Sequence, residues 1–367
     1  MPHRLTSVVE RASTVELLFD LVFVFTITQV TEVVVERADW AGIAQAALTM
    51  AVIWWMYDAY VWLGNQTETS NVAPRLGFIG AMTAFLLLAV AIPDAFGDSG
   101  LLFGFAYLAV VIIHFALFAL LGEAGSARSI LRVIPANLGG AALLIVAGFV
   151  TGPLDWVLFA AALAVMISTS FTGAPTGFDL SASHFIERHG LLMIIAFGET
   201  IVTVGVGAAH HPIDASLIVG VVLCVAVVAA MWWCYFAGDD ERADKNFTST
   251  AKRRRGLLAL SAFGLDHYAM IFGVVLFSAG VGLSFANVFA VAPTEAAWLL
   301  AAGVALYLLA AARYRQELTL GPAAARYLGA VVVLAFALVG VVLPVWWELL
   351  GILAALTAVI VIDSRRR

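Results

Sequence analysis

Acidic, basic and amide side chains recur here inside stretches that are otherwise apolar, and their chemistry is that of protons and cations. In "STVELLFDLVFVFTITQVTEVVV", Ser13 to Val35, Glu16 and Asp20 stand at positions i and i+4 and share a helix face. Gln29 lies half a helical turn round from Asp20, so this helix carries polar groups on two faces. In "HFIERHGLLMIIAFGETIVTVGVG", Glu187, Arg188 and His189 are adjacent. Glu199 follows on the same face as Arg188, roughly 16 Å further along the helix. "LDHYAMIFG" contributes Asp266 and His267, and Asp58 follows the Trp-Trp pair of "WWMYD". Carboxylates and imidazoles inside a membrane bind protons or cations, relay protons, or pair with one another, because hydrocarbon satisfies none of them.

Depth divides these residues into two expected groups. Asp20, Gln29, Glu199, Asp266 and His267 form a midplane set for proton or ion coupling. Glu16, Asp58, Glu187, Arg188 and His189 form an inner gate or ion-pair network. Each has a blander role beside it. Glu16 is an acid at a helix start, where the dipole favours it. Glu199 could serve only as a structural hydrogen-bonding group, with Gly198 allowing close backbone approach. His114 reads as a core histidine, and His210 and His211 as solvated loop residues.

Other chemistries lack sequence support. No single helix carries an H-x-x-x-H or E-x-x-H pair, so no metal centre is expected. Phosphate-binding, dinucleotide-binding and nucleophile-elbow motifs are missing, so no cofactor and no enzyme activity are expected. Cys224 and Cys234 fall on one helix about 15 Å apart and cannot bridge each other.

The elements that must position these side chains are membrane spans. Of 367 residues, 63% are hydrophobic and 12% charged, more apolar surface than a soluble chain can hide. Continuous apolar runs of about 20 residues recur along the length, so the fold class is all-α and polytopic, with about twelve transmembrane helices. The runs are continuous rather than alternating, which excludes a strand barrel. No apolar leader precedes the first run, so that helix is expected to be retained. With an even span count both termini share a side. All of the 19 Lys and Arg except Arg37 then fall on that side, which makes it cytoplasmic and the membrane the inner one. "KRRRG", from Lys252, reads as a topology anchor.

An internal repeat is visible. "WWMY" at Trp54 returns as "WWCY" at Trp232, and the helices before them both carry intramembrane polar residues. Two six-helix halves, 1–180 and 181–367, would run parallel, related by an axis along the membrane normal. The GxxxG from Gly100 to Gly104 reads as a helix-packing motif.

The stretches "VELLFDLVFVFTITQ", "WWMYDAYVWLGN", "HFIERHGLLMIIAFGETIV" and "MWWCYF" together resemble the bacterial low-temperature-requirement A family over nearly the whole chain. The family's recurrent residues match at Glu16, Phe19, Asp20, Gln29, Glu187, Arg188, His189, Gly190, Gly198 and Glu199. The resemblance implies a multi-pass membrane protein and leaves the mechanism open. More loosely, "LFDLVFVFTIT" is similar to the first-helix signature of a cation-channel family built from six-helix repeats, in which Phe-Ser-Asp precedes an apolar helix; here Leu18 stands before Phe19 and Asp20, and the Ser is absent.

These features point first to an ion- or proton-coupled transporter. The rival functions are a passive cation channel, a membrane enzyme on lipid-linked substrates, and an accessory or scaffold protein. The expected partners are the lipid bilayer and a small solute or ion. Nucleic acid is not among them, and a homo-oligomer is compatible with the sequence.

Overall fold

A computed structural model describes residues 13–66, 72–121, 124–171, 181–209, 211–285 and 287–365. His210, the inner-side Arg4, Arg11, Arg366 and Arg367, and the expected boundary between halves at 180 lie outside these residues. All regular elements among the described residues are helices. They are α1 (Thr14–Glu36), α2 (Trp40–Gln66), α3 (Val72–Val90), α4 (Gly100–Leu121), α5 (Ala124–Ala147), α6 (Pro153–Phe171), α7 (Ala182–Ala209) and α8 (Ala215–Phe236). Then come α9 (Asp239–Ser249), α10 (Lys252–Leu258), α11 (Asp266–Ser284), α12 (Thr294–Glu317), α13 (Ala324–Ala335), α14 (Ala337–Gly340) and α15 (Val345–Arg365). A π-helical turn, Ala259–Leu265, joins α10 to α11 without a break in the rod. Among the described residues ten spans are long and apolar enough to cross a membrane, and two shorter apolar helices, Leu131–Ala147 and Ala324–Gly340, accompany them. The chain is an all-α polytopic membrane protein.

Local chemistry sets the helix starts. Ser13 caps α1: its hydroxyl accepts from the Glu16 backbone N–H, while the Glu16 carboxylate reaches back to the Ser13 N–H. Asp214 caps α8 by accepting from the Leu217 N–H. Gly238 takes φ 81, a left-handed conformation that lets the chain turn from α8 into α9.

The helices pack in two runs of neighbours. α1 lies on α2 and α3, α3 on α4, α4 on α5, α5 on α6, and α6 returns to α2. In the same order α7 lies on α8 and α11, α11 on α12, α12 on α13, α13 on α15, and α15 returns to α8. The runs meet where α1 rests on α7 and α11, and α2 on α7. Small residues permit the closest crossings. A Cβ on Gly104 would sit 2.8 Å from the Ile145 backbone, so the GxxxG expected to pack helices does so, α4 against α5. Gly273 and Gly303 bring α11 and α12 into backbone contact in the same way.

Large apolar side chains such as Leu21, Ile112, Val202 and Leu328 are exposed on the outside, where lipid would cover them. The two Trp pairs differ. Trp232 and Trp233 are exposed, as interfacial anchors would be. Trp54 is buried and donates its indole N–H to the Gly264 carbonyl at 2.8 Å, and Trp55 donates to Asn137 at 2.9 Å.

Candidate functional site

α1 and α7 run side by side, and their polar residues meet rung by rung. The i, i+4 pair Glu16 and Asp20 faces the i, i+4 pair His184 and Arg188. His184 Nε2 lies 3.4 Å from Glu16 Oε1, and Arg188 Nη2 donates to Asp20 Oδ1 at 2.7 Å. Beside them, His189 Nε2 lies 3.3 Å from Asp58 Oδ1 of α2. In all three contacts the acid comes from α1 or α2 and the base from α7. Each of these side chains is at most 11% exposed. Asn65 closes the inner end: its amide donates to the Ser181 carbonyl and accepts the Ser181 N–H, both at 2.9 Å.

These contacts leave capacity unused. The Tyr57 hydroxyl donates to Asp20 Oδ1, yet Asp20 Oδ2 and Arg188 Nε and Nη1 are buried without a hydrogen-bond partner. The His189 contact also fixes a proton. His189 Nδ1 lies 2.9 Å from the Phe185 carbonyl, which can only accept, so Nδ1 carries hydrogen. The other nitrogen faces the Asp58 carboxyl at 3.3 Å, with no hydrogen bond closed between them. His267 is oriented by the same logic. Its Nδ1 donates to the Ala262 carbonyl at 2.9 Å, so its Nε2 accepts from the Tyr235 hydroxyl at 2.8 Å. The His189 and His267 rings stand 5.0 Å apart, centroid to centroid.

The π-helical turn supplies part of this geometry. Its wider winding frees carbonyls from the usual ladder, and two of them are used: Ala262 holds His267, and Gly264 holds Trp54 across the boundary between the two helix runs.

Further along the seam Glu199 is 2% exposed and surrounded by hydroxyls. Thr203 donates to Oε1 at 3.0 Å, Ser278 reaches Oε2 at 3.3 Å, and the Thr28 hydroxyl of α1 stands beside them while donating within its own helix to the Val24 carbonyl at 3.2 Å. Ser278 also lies 2.9 Å from the Thr200 hydroxyl. α1, α7 and α11 thus contribute oxygen to one place.

The residues singled out from sequence are placed as follows. Glu16, Asp20, Asp58, Arg188, His189 and His267 come together toward the amino-terminal ends of α1 and α7. Glu199 lies apart with its hydroxyls. Asp266 is not brought to either group; it takes the Arg313 guanidinium at 2.8 Å on α12. Gln29 and Glu187 are half-buried. His114 points its Nε2 at the Ala59 carbonyl at 3.1 Å, a core contact.

Sequence reasoning missed Tyr57 and Tyr235, although their motif was in view. "WWMY" and "WWCY" drew attention to tryptophan, while both tyrosine hydroxyls reach site residues. It also missed a buried network at the inner end of the second run. Asp239 accepts from Arg315 at 3.0 Å and Arg326 at 2.7 Å, and Asp363 accepts from the same two arginines at 3.2 and 2.9 Å. Arg242 adds a further bond to Asp239. No short motif links the five: only Asp239 and Arg242 share an element, and Arg315, Arg326 and Asp363 come from three others.

Among the described residues, no three His, Cys, Asp or Glu side chains converge as a metal site. The arrangement is one of acid–base pairs and a lone carboxylate among hydroxyls, suited to moving protons or holding a monovalent cation.

A family model described as bacterial low temperature requirement A protein matches residues 11–361. A Rhizobium meliloti (strain 1021) protein, described only as uncharacterized, is 29% identical over 297 residues, covering 76% of this chain and 70% of that relative. No solved structure matches.

Proposed function

This chain belongs to the bacterial low temperature requirement A family, and we propose that it works in the inner membrane as an ion- or proton-coupled transporter. The observation that carries the proposal is the polar seam between α1 and α7. It begins at Glu16 and His184, continues through Asp20, Arg188, Asp58, His189 and His267, and ends at Glu199. Burying ionisable groups costs roughly several kcal/mol per ion, and ionisable residues within membrane spans mark ion and proton pathways.

The two runs of helix neighbours follow one order, which supports two parallel six-helix halves, 1–180 and 181–367. The seam then lies where one half meets the other. Rocking of the halves would part and re-form the acid–base pairs, the contact between Asp58 and His189 among them. Glu199 is the coupling site, and the inner pairs act as the gate. The partners are the bilayer and a small solute or ion.

The test is flux in vesicles reconstituted with the purified protein. Wild type should move solute or protons under an imposed gradient, and Glu199→Gln should abolish the coupled component. Unchanged flux in that variant removes Glu199 from the mechanism. Conductance that persists with no dependence on a second ion would point to a passive cation channel instead.

A further inference from the structure

We propose that the Glu199 cluster is a sodium site, so that the coupling ion is Na⁺ rather than a proton. The inference rests on the transport reading for the ion's role, while ion binding stands on the cluster itself.

Oxygen supply is the first argument. Glu199 gives two carboxylate oxygens, Thr203 and Ser278 place hydroxyl oxygens against them, and Thr28 adds a hydroxyl from α1 whose hydrogen is turned to the Val24 carbonyl. Thr200, through Ser278, adds another within 2.9 Å of the cluster. A proton needs only the carboxyl group and one acceptor. A shell of hydroxyls gathered from α1, α7 and α11 is what a hard cation requires, since such cations replace water with neutral and anionic oxygen.

Charge is the second argument. The groups acting on Glu199 are all hydroxyls, with no arginine, lysine or histidine among them. One uncompensated carboxylate matches a monovalent ion. A divalent ion commonly takes more acid than this site offers.

Spare bonding capacity is the third. Thr31 stands one turn beyond Thr28 on the same face of α1, is 3% exposed, and its hydroxyl has no hydrogen-bond partner. The contact of Gly282 with Val35 sets the register of α11 on α1, one turn above Ser278 and Thr31. Thr31 is therefore level with Ser278, where an unused buried oxygen would serve a cation. Ser278 is also over-committed: its single hydrogen cannot satisfy both Glu199 and Thr200, so one of these oxygens is free to turn a lone pair inward.

The experiment measures thermal unfolding of the purified full chain in detergent while NaCl replaces choline chloride at constant ionic strength, with KCl as a parallel arm. Sodium should raise the midpoint in a saturable way, and potassium should do so less or not at all. Thr28→Val and Ser278→Ala, which keep the fold's apolar packing, should each raise the half-saturating sodium concentration about tenfold or more. Glu199→Gln should remove the response. The proposal is overturned if sodium and choline give the same midpoint, or if both hydroxyl variants respond like wild type. Vesicle flux separates the two levels. Sodium binding without any flux would refute transport and leave the site standing. Flux driven by a pH gradient and indifferent to sodium would refute the sodium site and leave transport standing.

Discussion

Asp20 and Arg188 are 168 residues apart in sequence, and their side chains meet at 2.7 Å. Both are about 1% exposed, so neither charge is stabilised by water. Each is tolerable only because the other is there. The pair thereby fixes how α1 and α7 lie against each other: slipping either helix by one residue would rotate its partner residue about 100° out of reach.

Removing one member should cost more than removing both. Arg188→Leu leaves a buried carboxylate uncompensated, and the expected loss is about 3–5 kcal/mol. Asp20→Asn combined with Arg188→Leu should recover part of it. Unfolding midpoints of the single and double variants, read as a double-mutant cycle, check this.

The network at Asp239 should behave as a structural lock. Asp239 accepts from Arg315, Arg326 and Arg242, so Asp239→Asn is expected to destabilise by about 3–5 kcal/mol. Glu295→Gln, at an exposed position of α12, should change stability by less than about 0.5 kcal/mol. Fluorescence-detected size exclusion after heating would separate the two.

Close packing of α11 and α12 gives a steric prediction. A Cβ at Gly273 would fall 2.8 Å from the Tyr307 backbone nitrogen, and neither backbone can yield without moving a helix. Gly273→Ala should therefore cost about 1–3 kcal/mol or more. Gly205→Ala meets nothing within 4 Å and should be neutral or slightly stabilising. Opposite signs in the two unfolding midpoints are the expected result.

His267→Phe tests the orienting bonds. The ring can still stack on Phe263, but its two hydrogen bonds, to the Tyr235 hydroxyl and the Ala262 carbonyl, are lost. Each lost hydrogen bond costs about 0.5–1.5 kcal/mol, so the variant should be less stable than Tyr235→Phe, which removes only the bond to the imidazole Nε2. Equal stability of the two variants would show that the ring, not its hydrogen bonds, matters.

The spans were legible because length and apolarity are local properties that each segment carries by itself. Even the weaker ones survive as the shorter apolar helices Leu131–Ala147 and Ala324–Gly340. The polar residues of the seam were legible as types for the same reason: Asp20 and Glu199 are out of place in hydrocarbon wherever they point. Their partners were not. Arg188, Arg315 and Arg326 count as inner-side charges in a topology tally, yet all three are buried in ion pairs. A charge tally registers which end of a helix a residue occupies and is blind to which way it faces. His267 and Asp266 show the limit of spacing arguments. The roughly 100° between neighbours predicts that they part, and they do, but only the packing of α12 says that Asp266 goes to Arg313.

The division of the seam into acids from α1 and α2 and bases from α7 bears on how the protein is made. The amino-terminal helices leave the ribosome first, bringing Glu16, Asp20 and Asp58 into the bilayer before any of their basic partners exists. They must wait protonated, or at the water interface, until α7 is translated. A chain stopped after α6 would therefore be held open to degradation, and a separately synthesised carboxyl-terminal portion supplied in the same cell would rescue it.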